Sequence, residues 1–599
     1  MAESIEELKE GYILDYISGS PVRATPEELE AVQIFSKILV EVYEYPKDRI
    51  QTRPQWRVKV RPSDTKKEYP IDIAVFSNKA HTEDNIQIII ECKKKNRRDG
   101  RTQLQDYLRF SKASLGVWFN GEERLFLQKI EKGGRIDFAE LPNIPLCGER
   151  VEDIGKFKRK DLRPAENLKS VFKTIRNYLA ANAVGITRDE VFAQQLINLI
   201  FCKIYDERFT RKAKIVTFRA GVGEKPKEVK KRIVGLFDSV KSQYDDVIDK
   251  ADAIVLDDKS LAYVVGELQL YSLQESSRDA VGDAFEVFIG PSLKGAQGQF
   301  FTPRNVVKMI VDMVDPSPDQ RVIDPACGSG GFLIEGLRYV WMKIQQRGDE
   351  LGWPEHEIES EKQKAAIRNF RGIDKDNFLS KVAKAYMAIL GDGRGGVFCE
   401  NSLEMPANWN NKSRSEVQLG AFDLVVTNPP FGKKLAIDSA ELLKNYDLGH
   451  KWIYNESTDE FSKASLLDKQ PPQILFIERC LDLLKEGGTL GIVLLESIFG
   501  MPKYKYVVDY IEKNTDILAI VSLPEDLFQP HTHAKCCVLI CKKNGKDGSG
   551  NPSIFMADVK WCGHDSRGNP TYRKDATGAL TLLDEVPEVA PLYHEGLNK

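Results

Sequence analysis

The 599-residue sequence has no long apolar run. Candidates such as Ile86–Ile90 and Leu490–Leu495 fall far short of the ~20 residues that cross a bilayer, and the acidic, amphipathic stretch Met1 to Lys9 has no apolar signal core. Neither membrane insertion nor secretion is expected. Cysteine patterning is also missing. Ten cysteines are scattered without CxxC spacing or paired histidines, and Cys536, Cys537 and Cys541 lie in an apolar, strand-like run that reads as core. That argues against a disulfide scaffold or a zinc ribbon and for a reducing, cytoplasmic setting. Charge of one sign is not in excess: 86 Lys and Arg stand against 89 Asp and Glu, so a polyanion must be held by local patches. There is no Gly-x4-Gly-Lys-Ser/Thr phosphate loop, which leaves no ATP-driven motor in this chain. No internal repeat or low-complexity tract is visible.

What is present suits several folded domains, since 599 residues is about four times a typical ~150-residue domain. Residues 25–130 combine a helical pattern, Glu27 to Tyr43, with short β-rich runs at Trp56–Val60, Ile71–Phe76, Ile86–Cys92 and Gly116–Phe119. The basic run Lys156–Lys160 reads as a linker, and residues 165–290 read as helices. From Gly298 onward helices alternate with β-branched strands, the pattern of βαβ units around a parallel sheet. Three domains are expected: 1–150, a small α/β unit; 151–290, a helical unit; and 291–599, a doubly wound α/β unit.

In the last of these, the strand Arg321–Asp324 runs into Pro-Ala-Cys-Gly-Ser-Gly-Gly, and helical periodicity resumes at Phe332. Gly328, Gly330 and Gly331 let a ligand approach the backbone at the end of a first parallel strand. The turn lacks both the GxGxxG spacing and the terminal Lys-Ser/Thr of a pyrophosphate cradle. Asp374 closes the next strand, Phe370–Asp374, where a carboxylate can take both hydroxyls of a ribose. Together these features suggest a nucleoside-bearing cofactor. Further on, the apolar strand Ala421–Thr427 meets Asn428-Pro429-Pro430-Phe431. Two prolines cannot continue the ladder and instead fix a rigid turn, which aims the Asn428 side chain and the Pro429 carbonyl outward as two acceptors. An exocyclic amine whose two N–H groups are both accepted turns its lone pair toward an incoming methyl group, and Phe431 supplies a flat apolar face for an extruded base.

Gly298-Gln-Phe-Phe-Thr-Pro303, Asp324–Phe332, Gly372-Ile-Asp374 and Asn428–Phe431, in that order, resemble the modification subunit of type I restriction-modification systems. The resemblance covers roughly residues 165–590 and includes Leu523-Pro524, Phe528 and the run Lys535–Lys543. It implies a class I S-adenosylmethionine-dependent methyltransferase fold, α/β with a doubly wound, mostly parallel sheet, acting on adenine N6 of DNA. Carried over by motif, Phe301, Thr302 and Pro303 line the methionine end of S-adenosylmethionine. Asp324 and Gly328 hold its amino-acid part, Asp374 its ribose and Asn401 its adenine, with Ala326, Ser329 and Gly330 also binding the cofactor. Asn428, Pro429, Pro430 and Phe431 are the catalytic set. Glu496 stands where relatives often carry Pro. The chain has no Pro-Cys dipeptide, which disfavours the cysteine chemistry of C5-cytosine methylation. The tetrapeptide also occurs in RNA- and protein-directed methyltransferases, so that alternative stays open.

A second constellation lies near the N-terminus. Tyr69–Phe76 and Ile86–Lys93 read as a hairpin whose strands carry Asp72, Glu91 and Lys93, with Gln103 and Tyr107 four apart on a following helix. Two adjacent carboxylates suit Mg²⁺, and the lysine suits an attacking water or a developing phosphate charge. This set resembles the PD-(D/E)xK nuclease domain at the front of type I restriction subunits, over residues 20–130, with Glu28 as a further metal-side carboxylate. The resemblance implies a Mg²⁺-dependent endonuclease; the alternative is an inactive DNA-binding or docking module.

Two basic clusters suit duplex DNA. Residues 91–113 hold eight Lys/Arg against three Asp/Glu, a net of +5, and residues 208–237 hold ten against two, a net of +8. No target-recognition region follows the last motif. Either a separate specificity subunit is expected to read sequence, with two copies of this chain to each, or the chain is shortened before such a region.

Overall fold

The computed structural model describes residues 11–59, 69–94, 97, 99–121, 123–164, 168–186, 188–245, 247–276, 302–391, 396–431, 435–529, 532–544, 553–574 and 580–597. The chain divides into two compact units, Met1–Lys294 and Gly295–Lys599.

The first unit is built on six strands: β1 (Ile50–Gln51), β2 (Ile73–Phe76), β3 (Ile86–Cys92), β4 (Leu115–Phe119), β5 (Arg124–Lys132) and β6 (Arg135–Leu141). Their spatial order is β6-β5-β4-β3-β2-β1, with only β3 and β4 parallel. An isoleucine-rich strand suits burial on both faces, and β3 is covered on both. Ile88, Ile90 and Cys92 meet Phe35 and Leu39 of α1 (Gln33–Glu41), while Ile86 and Ile89 meet Leu104 and Leu108 of α2 (Arg101–Phe110).

The helices expected after residue 165 are α3 (Leu168–Asn182), α4 (Asp189–Phe209), α5 (Pro226–Gln243) and α6 (Asp258–Leu268). They start for local reasons: Pro226 occupies the first turn of α5, and the Asp257 carboxylate caps α6 by accepting from the Lys259 and Ser260 N–H groups. These helices do not stand apart from the preceding sheet. Leu162, Val216 and Leu270 share a core with Phe35 and Val117. Arg124 of β5 forms a two-pronged ion pair with Glu267 of α6, its Nε 3.0 Å from Oε1. The run Lys156–Lys160, expected as a linker, is also fastened down. Phe157 is buried, Lys158 bridges to Ile215, and Arg159 donates to the Glu207 carbonyl at 2.7 Å. One aromatic among four basic residues is the anchor.

In the second unit, α7 (Arg304–Val314) precedes β7 (Val322–Asp324). There follow α8 (Gly331–Leu351), α9 (Glu355–Asn369), β8 (Phe370–Asp374), α10 (Asn377–Gly391), β9 (Val397–Cys399) and β10 (Phe422–Thr427). The unit continues with α11 (Pro472–Leu483), β11 (Leu484–Leu495), α12 (Lys505–Asn514), β12 (Thr515–Ser522), β13 (Cys536–Lys543) and β14 (Phe555–Asp558). The eight strands lie in the order β9-β8-β7-β10-β11-β13-β12-β14, and β13 alone runs against the rest. The polar segment between the glycine turn and Asp374 is the end of α8 and most of α9. Cys536, Cys537 and Cys541 are buried on β13. Successive strands build outward from β7 in one direction and from β10 in the other, so the order reverses between them. In open α/β sheets the ligand crevice lies at the carboxyl ends of the strands at such a reversal. Among the described residues no helix is long and apolar enough to cross a membrane.

The side chains of Arg124 and Glu267 are 7% and 3% exposed. Removing one partner strands the other charge in the core, at a cost of about 3–5 kcal/mol. Glu267→Ala is therefore expected to lower the urea midpoint of the first unit's unfolding. An unchanged midpoint contradicts this account of how helices and sheet are joined.

Candidate active site

At the carboxyl end of β7, Asp324 is 1% exposed. Its Oδ1 accepts from the Ala326 N–H at 3.0 Å and from the Thr427 hydroxyl at 2.7 Å. Burial outweighs both bonds and holds its carboxyl up at about 7. Ala326, Gly328, Ser329 and Gly330 form the turn that follows. Gly328 and Gly330 have φ of 53° and 91°, a region that disfavours side chains. The Gly328 N–H donates to Asp374 Oδ2 at 2.9 Å, and the Asp376 N–H to Asp374 Oδ1 at 2.9 Å. Burial raises the Asp374 carboxyl as well. A Cβ on Gly372 would lie 2.6 Å from Leu333 Cδ1, so only glycine lets the turn and its helix close onto β8. Beyond β9, Asn401 Oδ1 accepts from its own turn at the Leu403 N–H, 3.2 Å. The two acids and Asn401 thus share one rim of the sheet.

The next strand along that rim, β10, delivers Asn428-Pro429-Pro430-Phe431. Asn428 Nδ2 donates to Thr302 Oγ1 at 2.9 Å. Its Oδ1 is buried with no hydrogen-bond partner among the described residues. An unsatisfied buried acceptor costs about 1–3 kcal/mol. Phe431 is 5% exposed and meets Phe528 edge-to-face, with centroids 5.7 Å apart at 74°. Phe528, which packs against the ring, comes from far along the chain. Thr302 and Pro303 directly precede α7, whose first amides bond back to the Pro303 carbonyl. Phe301 lies outside the described residues. Beside this corner, at the end of β11, an open cleft of about 670 Å³ is lined by Leu495, Glu496, Phe499, Met501 and Lys535 among others. Glu496 is held there by Lys535 Nζ at 3.2 Å.

In the first unit the nuclease-like residues also come together. Asp72, just before β2, accepts the Cys92 N–H at 2.7 Å. Glu91 of β3 is ion-paired with Lys93, their side chains 3% and 14% exposed. Gly100, at φ 100°, lets its loop close over this pair, since a Cβ would lie 3.0 Å from Lys93 Cε. Gln103 donates to the Tyr107 hydroxyl on α2, and Tyr107 is within electrostatic reach of Glu91 and Asp72. Burial pushes the Asp72 carboxyl up to about 6, and burial together with Asp72 pushes Glu91 up to about 8.

Glu28 does not join them. It is paired with Arg53 at 2.6 Å and accepts from Gln33 Nε2 at 2.7 Å. The helix opens with a wide π turn over Glu28–Val32, which shifts the register, and its neighbour Glu27 is the residue whose charge acts on Asp72 and Glu91. Sequence spacing alone carries no sign of that turn. Among the described residues no group of three or more His, Cys, Asp or Glu is arranged to hold a metal ion.

Comparison with known proteins gives two family matches: N-6 DNA Methylase over residues 276–575, and type I restriction enzyme R protein N terminus over residues 26–145. The chain is 24% identical to the type I restriction enzyme EcoEI methylase subunit of Escherichia coli, over 50% of this chain and 58% of that one. It is 34% identical to the MjaVIII methylase subunit of Methanocaldococcus jannaschii, over 54% and 51%. The chain spans about half the length of the curated relatives it matches. Among solved structures it resembles a chain of a type I R-M system (21% identity, 68% and 81% covered, TM-score 0.48). It also resembles the type I methyltransferase subunit from Streptococcus thermophilus (17% identity, 73% and 75% covered, TM-score 0.39).

The raised Asp324 carboxyl sets a pH dependence. Between the ordinary value of 3.8 and about 7, the folded chain keeps a proton that the unfolded chain has released. Stability of the ligand-free second unit therefore falls across that window and levels off above it. Asp324→Asn keeps an acceptor for Thr427 and Ala326 but removes the titration. It is expected to be the more stable form at pH 8, by a margin on the order of 1–3 kcal/mol in urea unfolding, with a flatter pH profile. Equal slopes contradict the assignment.

Proposed function

The chain belongs to the N-6 DNA methylase family, matched over residues 276–575, and from that premise we propose that it methylates adenine N6 in duplex DNA as the methyltransferase subunit of a type I restriction-modification system. The observation that carries this reading is the buried, unpartnered Asn428 Oδ1 at the carboxyl rim of the sheet. The donor is S-adenosylmethionine, which when bound supplies an electrophilic methyl group on a sulfonium.

The remaining work falls to the chain's own residues. Asp374 keeps a lone pair on each oxygen after binding two backbone N–H groups, which suits two ribose hydroxyls. Asp324, once deprotonated, suits the cationic amino group of the donor's amino-acid part. Thr302, Pro303, Ala326, Gly328, Ser329 and Gly330 border the same space, and Asn401 offers Nδ2 toward the cofactor adenine. The target base leaves the duplex at a cost of a few kcal/mol. Asn428 Oδ1 and the Pro429 carbonyl accept its two amino protons, which directs the nitrogen lone pair away from them and toward the donor. Pro430 stiffens the corner, and Phe431, backed by Phe528, contacts the base. No covalent intermediate or metal is required.

Exposed Arg211, Lys212, Lys214, Lys225, Lys227 and Lys231 supply phosphate contacts that carry no sequence information. A separate specificity subunit, with two copies of this chain, reads the bases. For the first unit we propose that Asp72 and Glu91 hold Mg²⁺, with Glu27 nearby. Lys93 orients the attacking water, and Gln103 and Tyr107 support it. A second reading, a docking module without cleavage, is favoured by the direct Glu91–Lys93 contact, which satisfies the lysine without a metal.

In the complex formed with its neighbouring gene products, Asn428→Ala is expected to cut transfer of labelled methyl groups to adenine by at least about 100-fold. Full activity in that variant removes the site, and label in RNA or protein instead of DNA removes the substrate. Asp72→Ala and Lys93→Ala are each expected to abolish Mg²⁺-dependent cleavage of unmodified DNA while leaving methylation intact. If the unaltered complex does not cut, the docking reading holds.

A further inference from the structure

An amide side chain is nearly symmetric in shape, so rotation by 180° about its last bond exchanges oxygen and nitrogen at little steric cost. For Asn428 the exchange is decisive, because a flipped amide presents N–H donors to an amine that also needs acceptors. We propose that Thr302 is the positioning residue that anchors this amide at the corner; the inference rests on the methyltransferase reading above and deepens it. Its hydroxyl accepts from Asn428 Nδ2 at 2.9 Å, which leaves Oδ1 as the buried atom facing outward. In the reverse orientation the hydroxyl would donate to Oδ1 and two N–H donors would occupy that buried place unsatisfied, so Thr302 tethers the amide and burial selects its orientation.

Thr302 itself is held from behind. It lies one residue before the cap of α7, which sits so close to β11 that a Cβ on Gly491 would lie 2.9 Å from Ile310 Cγ2. The helix is tied further along as well, by Asn305 Nδ2 to Asp584 at 3.0 Å and by His594 Nε2 against the Asp312 carbonyl at 2.9 Å. Motif resemblance assigns Thr302 to the methionine end of the cofactor, whereas the observed contact is with the catalytic amide.

The test uses the full chain in the complex it forms with its neighbouring gene products. Single-turnover methylation and S-adenosylhomocysteine affinity by calorimetry are measured for the native chain, Thr302→Val and Thr302→Ser. Thr302→Val is expected to slow methyl transfer about tenfold while leaving cofactor affinity within about twofold. Thr302→Ser, which keeps the hydroxyl, restores the rate. The proposal is overturned if the valine variant is as fast as native or loses cofactor affinity in proportion to rate. It is equally overturned if serine is as slow as valine, which would mark a packing role. If the native complex transfers no methyl group to DNA, the methyltransferase reading itself fails, and the role of Thr302 with it.

Discussion

The hydrogen bond from Thr427 to Asp324, 2.7 Å long and fully buried, joins the carboxyl ends of the two strands between which the sheet reverses. One strand carries the glycine turn and the other the diproline corner. Their relative placement is set by this contact and by the parallel register of Ile323 against Val425. The contact is maintained at the expense of a desolvated carboxyl group, which the sheet tolerates because Thr427 and the Ala326 N–H both donate to it. Every functional feature of the second unit is arranged around that junction.

Both units concentrate buried carboxylates at one place. Asp324 and Asp374 share the rim of one sheet, and in the other Asp72 lies just before β2 and Glu91 on the adjoining β3. All four are pushed above the ordinary carboxylate range, chiefly by loss of water. Such groups destabilise a chain that has nothing to bind, and they gain when a cation or a set of hydroxyl donors arrives. Sites of this kind contribute binding energy to a ligand that the fold itself leaves unused. The Arg124–Glu267 and Lys203–Glu207 pairs are buried as well, but each charge there meets its partner within the chain, which marks them as structural.

What was readable in the sequence was what local geometry dictates. Glycines at positive φ, a diproline after an apolar strand and an isoleucine-rich run each constrain their own neighbourhood, and Asp324, Asp374 and Asn428 lie on the rim their motifs imply. What could not be read depends on distant contacts. Thr302 meets Asn428 across 126 residues, Phe528 covers Phe431, and Arg124 reaches Glu267 across 143 residues to merge helices and sheet into one body. Glu28 is taken up by Arg53, 25 residues further on, a pairing that residue spacing does not mark. The cleft beneath Glu496 was equally silent, because strands β11 and β13 meet there from separate parts of the chain.

The most direct test of the central claim is a crystal structure of the chain with S-adenosylmethionine bound. The account predicts the donor at the β7–β8 rim, its ribose on Asp374 and its methyl group directed into the space faced by Asn428 Oδ1. A donor seated elsewhere, or a methyl group turned away from Asn428, contradicts it.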